Sequence, residues 1–115
     1  MINCTLYIER NDLGIRERRP LVIAQATIRL DDNPELFDRL QRLGPSLLEG
    51  ELLVGEYEGR ELRTSTDGYG HPLTYLRGRD LRRLVAPREA GAWNKLAVKL
   101  LSALPQESVV VLHWD

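Results

Sequence analysis

Alternation at a period of two opens the chain. Over residues 2–9, Cys4, Leu6 and Ile8 take turns with Asn3, Thr5, Tyr7 and Glu9, the pattern of a strand with one face against a core. Residues 21–30 repeat it, placing Val22, Ala24, Ala26, Ile28 and Leu30 on one expected face. Between them Asn11, Asp12 and Gly14 punctuate a polar stretch that reaches Pro20, so the two strands are expected as antiparallel neighbours joined by a long hairpin.

The period then lengthens to three and four. Asp32 and Asn33 offer caps, Pro34 suits the first helical position, and Leu36, Phe37, Leu40 and Leu43 form an apolar stripe that Gly44 and Pro45 end. From Glu51 the pattern is extended again, with strands over 52–57 and 60–66 about a two-residue turn at Glu58 and Gly59. A loop follows at 67–72, then a short strand at 73–76 and a short helix over 80–84, which Pro87 terminates. The clearest helical repeat covers 93–104. There Trp93, Leu96, Ala97, Leu100, Leu101 and Leu104 are expected to face the core, with Asn94, Lys95, Lys99 and Ser102 turned away. A last strand spans 109–114, and its continuous apolar run predicts cover on both faces.

This order of elements predicts an α+β protein: an antiparallel or mixed sheet of about five to six strands with two main helices packed on one face, in one domain over residues 1–115. Composition agrees. With 115 residues, 43% hydrophobic and 29% charged, the chain can bury a core without metal or disulfide support. No apolar run approaches the roughly 18 residues of a membrane span, and the first ten residues carry neither a basic nor an apolar leader segment, so neither a membrane partner nor a secretory signal is expected. The single cysteine, Cys4, cannot form an intrachain disulfide and suits a reducing cytoplasm.

Charge narrows the picture further. Fourteen arginines against two lysines fit the coding bias of a GC-rich bacterium or phage, which weakens arginine abundance as a sign of phosphate recognition. The charges also segregate: Glu49, Glu51, Glu56, Glu58 and Glu61 precede Arg77, Arg79, Arg82, Arg83 and Arg88, two stretches able to pair with each other.

The stretch 66–84 holds the candidate site. Asp67, Tyr69 and His71 lie on a glycine-rich loop, and Tyr75, Arg77 and Arg79 follow in an arginine-dense segment. Turn chemistry accounts for much of the loop, since Gly68 and Gly70 permit positive φ and Asp67 can cap its own turn. A chemical reading makes His71 a general base with Asp67 orienting it. Gly68 and Gly70 lack the third glycine and the lysine of phosphate-cradling loops. Cys4, His71 and His113 are the only sulfur or imidazole ligands, without paired spacing. No metal and no cofactor are therefore expected. A Cys4–His113 nucleophile pair across neighbouring strands is weighed against an inert core thiol, and the thiol is favoured.

The reading that follows is a small noncatalytic protein of the bacterial cytoplasm that works through a protein partner, as an inhibitor, immunity-type factor or adaptor. An open sheet and the 66–84 segment would form its contact surface, and a homodimer through an exposed edge strand is also open. One alternative is a small-molecule-binding domain or minor enzyme at the 67–72 loop, built from Asp67, Tyr69, His71 and Trp93. Another is a nucleic-acid-associated protein using the arginines of 77–88, which the net charge of −1 disfavours.

Overall fold

The computed structural model describes residues 2–9 and 21–115, and the polar stretch expected from Asn11 to Pro20 lies outside the described residues. Ten elements follow in order: β1 (Cys4–Glu9), β2 (Leu21–Leu30), α1 (Pro34–Arg42), β3 (Ser46–Leu47), β4 (Glu51–Tyr57), β5 (Arg60–Thr64), β6 (Thr74–Arg77), α2 (Gly78–Leu81), α3 (Gly91–Ser102) and β7 (Val109–Trp114). The strands form one curled sheet in the order β3-β6-β7-β1-β2-β4-β5. It is a mixed sheet, because β2 and β4 run parallel while the other neighbours are antiparallel. The α+β class holds. The strands number seven among the described residues rather than five to six, because Ser46–Leu47 pairs with β6 as a two-residue strand too short to leave a periodic signal.

The curl has a local cause in β2. Ile8 pairs with Ala26 and Glu9 with Ala24, so β2 spends two steps where β1 spends one and Gln25 is the extra residue of a bulge. An extra residue inverts the alternation of faces. Ile28 and Leu30 therefore join Cys4, Leu6 and Ile8 in the larger core, whereas Val22, at the same sequence parity, packs with Leu52, Leu73 and Val111 in the smaller one. The expectation that Val22 through Leu30 share a face fails at that bulge. The first three residues of β2 pair with β4, and the remainder pairs with β1.

Helices α1, α2 and α3 supply Leu36, Phe37, Leu40, Leu81, Ala97, Val98 and Leu101 to the larger core. β7 sits between β6 and β1 and serves both cores, Val110 and Leu112 entering one and Val111 the other. Its apolar run is thus covered on both sides. At the start of α1, Asn33 accepts a hydrogen bond on its side-chain oxygen from the backbone N–H of Leu36 at 2.9 Å, and Pro34 takes the first helical position. The hairpin between β4 and β5 turns on Glu58 (φ 51°) and Gly59 (φ 76°). Two successive positive φ angles match the right-handed strand twist.

Helix α3 is rotated from the orientation its periodicity predicts. Asn94, Ala97, Val98 and Leu101 are buried, while Trp93, Leu96 and Leu100 stand in solvent. Asn94 explains the rotation. Its side-chain oxygen accepts from the N–H of Asp31 at 2.9 Å and its amide donates to the Asp31 carbonyl at 3.1 Å, so one side chain satisfies both backbone groups of the residue that follows β2. Pairing those groups draws the polar Asn94 inward.

Candidate functional site

The 67–72 loop is built by Asp67. Its carboxylate is buried, and Oδ1 accepts from the backbone N–H of Tyr69 at 2.9 Å and of His71 at 3.0 Å. Backbone bonds from Asp67 N–H to the His71 carbonyl (2.8 Å) and from Gly70 N–H to the Asp67 carbonyl (3.1 Å) close the turn, with Gly70 at φ 78°. Asp67 thus organises backbone and leaves the imidazole of His71 to solvent. This is the turn-capping role that aspartate fills through its short acceptor side chain.

The loop is also docked on the end of β7. Gly68 N–H donates to the Trp114 carbonyl at 2.8 Å, and a side chain at Gly68 would put its Cβ 2.7 Å from the Cβ of Asp115. That close approach requires glycine. It carries the exposed rings of Tyr69 and His71, 6.4 Å apart, to the end of the sheet where β1 begins and where β2 and β7 stop. Helix α1 starts at the same end.

The result is a cleft of about 510 Å³ lined by Ile2, Asp32, Phe37, Asp38, Gln41 and Trp114 together with Asp67, Tyr69, His71 and Pro34. Its volume falls within the ~300–1,000 Å³ of small-ligand clefts. Phe37 and Trp114 meet edge to face at 5.4 Å. Trp114 Nε1 is shielded from solvent and finds no acceptor, the only such orphaned side-chain atom among the described residues. An unmade bond of this kind costs about 1–3 kcal/mol. Three carboxylates line the cleft and, among the described residues, no Lys or Arg does, although Arg42 pairs with Asp38 from outside at 3.0 Å.

The six candidate residues do not form one site. Asp67, Tyr69 and His71 gather at the cleft, but Tyr75 sits opposite Val111, midway along β7, and Arg77 and Arg79 lie toward the far end of that strand. Arg77 pairs in register with Val109, roughly 17 Å along β7 from Trp114. There Arg77 stacks its guanidinium 5.9 Å from the Tyr75 ring and donates to the Glu107 carbonyl, and Arg79 meets the Glu107 carboxylate at 3.0 Å. Arg83 lies 3.5 Å from Asp80. These arginines find their partners in Glu107 and Asp80, local to their own end of the fold. Phe37 reads in the sequence as a core residue of the α1 stripe and Trp114 as an anchor of the last strand or the cap of a pocket, and the two meet in the cleft; Trp93 belongs to a different surface.

Cys4 is an inert thiol. Burial, with help from the Asp115 charge, pushes it up to about 12. It registers with Trp114 while His113 registers with Thr5, so cysteine and histidine point to opposite faces. His113 instead stands edge-on to Tyr7 at 6.2 Å. Burial and Asp115 also raise the Tyr7 phenol above its usual range. Among the described residues no group of three or more His, Cys, Asp or Glu side chains is placed to hold a metal ion, and no helix is long and apolar enough to cross a membrane.

A second surface lies on α3. Trp93 (47% exposed), Leu96 (59%) and Leu100 (51%) follow one another along the helix and, with Ile28, Ala97 and Lys99, border a groove of about 370 Å³. The Trp93 indole N–H donates to the Arg29 carbonyl at 2.7 Å, which fixes the ring at one end of the groove. From Gly91 to Leu104 the charged residues are Lys95 and Lys99, with no acid. Comparison with protein-family models, with curated proteins and with solved structures finds no match to this chain.

Proposed function

We propose that the chain is a noncatalytic protein-binding domain whose contact face is α3, in the inhibitor, immunity-type or adaptor class of bacterial cytoplasmic proteins. The observation that carries this reading is the half-exposed row of Trp93, Leu96 and Leu100 on a helix whose opposite face is already committed to the core. At those exposures the three side chains offer on the order of 300 Å² of apolar surface, the size of a functional patch on a monomer. It is well below the ~800 Å² per partner of a standard globular interface. A short amphipathic helix laid into the groove fits that area better than a folded domain does.

Charge selects among amphipathic segments. A second copy of α3 packed on the first would oppose Lys95 and Lys99 with the same lysines, whereas an apolar segment flanked by Asp or Glu would be attracted. The proposed occupant is therefore an acidic amphipathic helix of another protein. A photo-crosslinking residue at position 96, with one at Glu58 as control, tests this in the expressing cells. Support requires one adduct formed from position 96 alone, lost in the Lys95→Glu/Lys99→Glu double variant, with the crosslinked peptide acidic and apolar. Adducts equal at both positions, or a crosslink to a second copy of the chain, would refute it.

The cleft favours a second reading, a ligand-binding site at the 67–72 loop. Its support is that Tyr69 and His71, which the turn does not need, wall a concavity of ligand size.

A further inference from the structure

The composition of the cleft names a class of ligand, and we infer that it binds an organic cation with an apolar body: a quaternary ammonium compound, or the guanidinium of an arginine side chain. This rests on the second reading, that the cleft binds a ligand, and is independent of the α3 contact.

Two features of the lining converge. Phe37, Tyr69, His71 and Trp114 bring four rings to one concavity, arranged as an edge-to-face pair on the floor and a tilted pair at the rim. Aromatic faces carry negative quadrupole charge and attract a desolvated cation within about 6 Å of the ring centroid. Asp32, Asp38 and Asp67 add carboxylates to the same lining, where the described residues include no Lys or Arg. The Arg42 pair offsets one of the three, leaving an excess of negative charge.

The opposing influence is the start of α1, whose partial positive charge would favour an anion. It is already answered. The Asn33 side chain takes the Leu36 N–H, its carbonyl takes the Phe37 N–H at 3.0 Å, Pro34 has no N–H to offer, and Glu35 stands in the first turn. An anionic ligand would meet carboxylates, and the one orphaned donor on the lining, Trp114 Nε1, is shielded from solvent. A purely apolar ligand would leave the carboxylates unused.

The test uses two isosteric pairs on the intact chain, followed by calorimetry and by ¹H–¹⁵N NMR: choline against 3,3-dimethyl-1-butanol, and N-acetylarginine amide against N-acetylcitrulline amide. Within the pair that binds, the cation is expected to bind at least tenfold more tightly than its neutral twin. Its shifts should centre on Tyr69, His71 and the Trp114 indole. Tyr69→Ala should weaken the cation at least tenfold and Tyr69→Phe should preserve it; Tyr69 is half exposed, so both variants keep the fold. Which pair binds separates a free ammonium compound from a basic side chain of a partner. Equal binding of charged and neutral members would sink the cation while leaving a ligand cleft, and no binding of any probe at 10 mM, a ceiling of about −2.7 kcal/mol, would sink both.

Discussion

Replacing Gly78 with alanine adds one methyl group at a place where two stretches of backbone touch. An ideal Cβ at Gly78 would lie 2.0 Å from the Pro105 carbonyl oxygen and 2.9 Å from its carbon. Both contacts are with main chain, which cannot swing aside as a side-chain tip can. Separating them to van der Waals distance moves the 77–79 segment away from 105–108 by more than an ångström. The hydrogen bonds from Gly78 N–H to the Ser108 carbonyl (2.9 Å) and from Arg79 N–H to the Gln106 carbonyl (3.1 Å) span that same seam. Losing them costs about 1–3 kcal/mol together, and the overpacking adds a further 1–3 kcal/mol or so. Alanine returns at most about 1 kcal/mol through helix propensity in α2. Sterics win, and Gly78→Ala is expected to lose about 2–5 kcal/mol, a large share of a typical domain's stability. Urea denaturation followed by tryptophan fluorescence measures it, with Gly70→Ala as the control. Gly70 needs its positive φ of 78° but has open space around it, so alanine there should cost only about 1–2 kcal/mol. A Gly78→Ala variant within 1 kcal/mol of wild type, or one less damaged than Gly70→Ala, would refute the close-approach argument.

Three further outcomes follow from the same geometry. Asn94→Ala orphans both the backbone N–H and the carbonyl of Asp31 and should cost about 2–4 kcal/mol; Asn94→Asp should be similarly unstable at pH 7 and recover on acidification, because only a protonated carboxyl can both donate to the Asp31 carbonyl and avoid a buried charge, which equilibrium unfolding from pH 7 to 4 would reveal. Leu96→Lys, on the exposed row of α3, should change stability by less than about 0.5 kcal/mol, whereas Leu101→Ala in the core should cost about 2–5 kcal/mol, a contrast that thermal melts of the two variants resolve. Cys4, raised from 9.0 to about 12, stays protonated in the folded chain where the unfolded chain has already ionised; its contribution to stability is therefore flat below pH 9 and falls by roughly 1.4 kcal/mol per pH unit above it, with the raised Tyr7 phenol adding to the loss only above pH 10. Denaturation curves from pH 8 to 10 should show that slope, and Cys4→Ala should flatten it.

What the sequence made legible, and what it hid, divides by the range of the interactions concerned. The Asn33 cap, the Glu58–Gly59 turn and the boundaries of β2 and β7 depend on residues a few positions apart, and each is readable from the chain. Periodicity likewise found α3 but not its rotation. The helix carries two overlapping apolar arcs, 93/96/100 and 97/98/101, and only the Asp31 backbone, 63 residues away, decides through Asn94 which of them is buried. The bulge at Gln25 is hidden for a related reason: a strand's own alternation does not record where its partner falls a residue short.

The cleft shows the same division within one site. Tyr69 and His71 stood out in the sequence because turn chemistry had no use for them, and they do line the concavity; Asp67, placed beside them as a chemical partner, is consumed by the turn that presents them. Its other walls come from residue 2, from 32–41 and from Trp114, brought together only because β1 starts where β2 and β7 end. Tyr75, Arg77 and Arg79 are near the loop in sequence, yet β6 runs away from it along β7, leaving Tyr75 opposite Val111 and delivering Arg77 and Arg79 to Glu107. An extended strand separates sequence neighbours by about 3.4 Å per residue, so four residues of β6 suffice to turn one apparent site into two ends of a sheet.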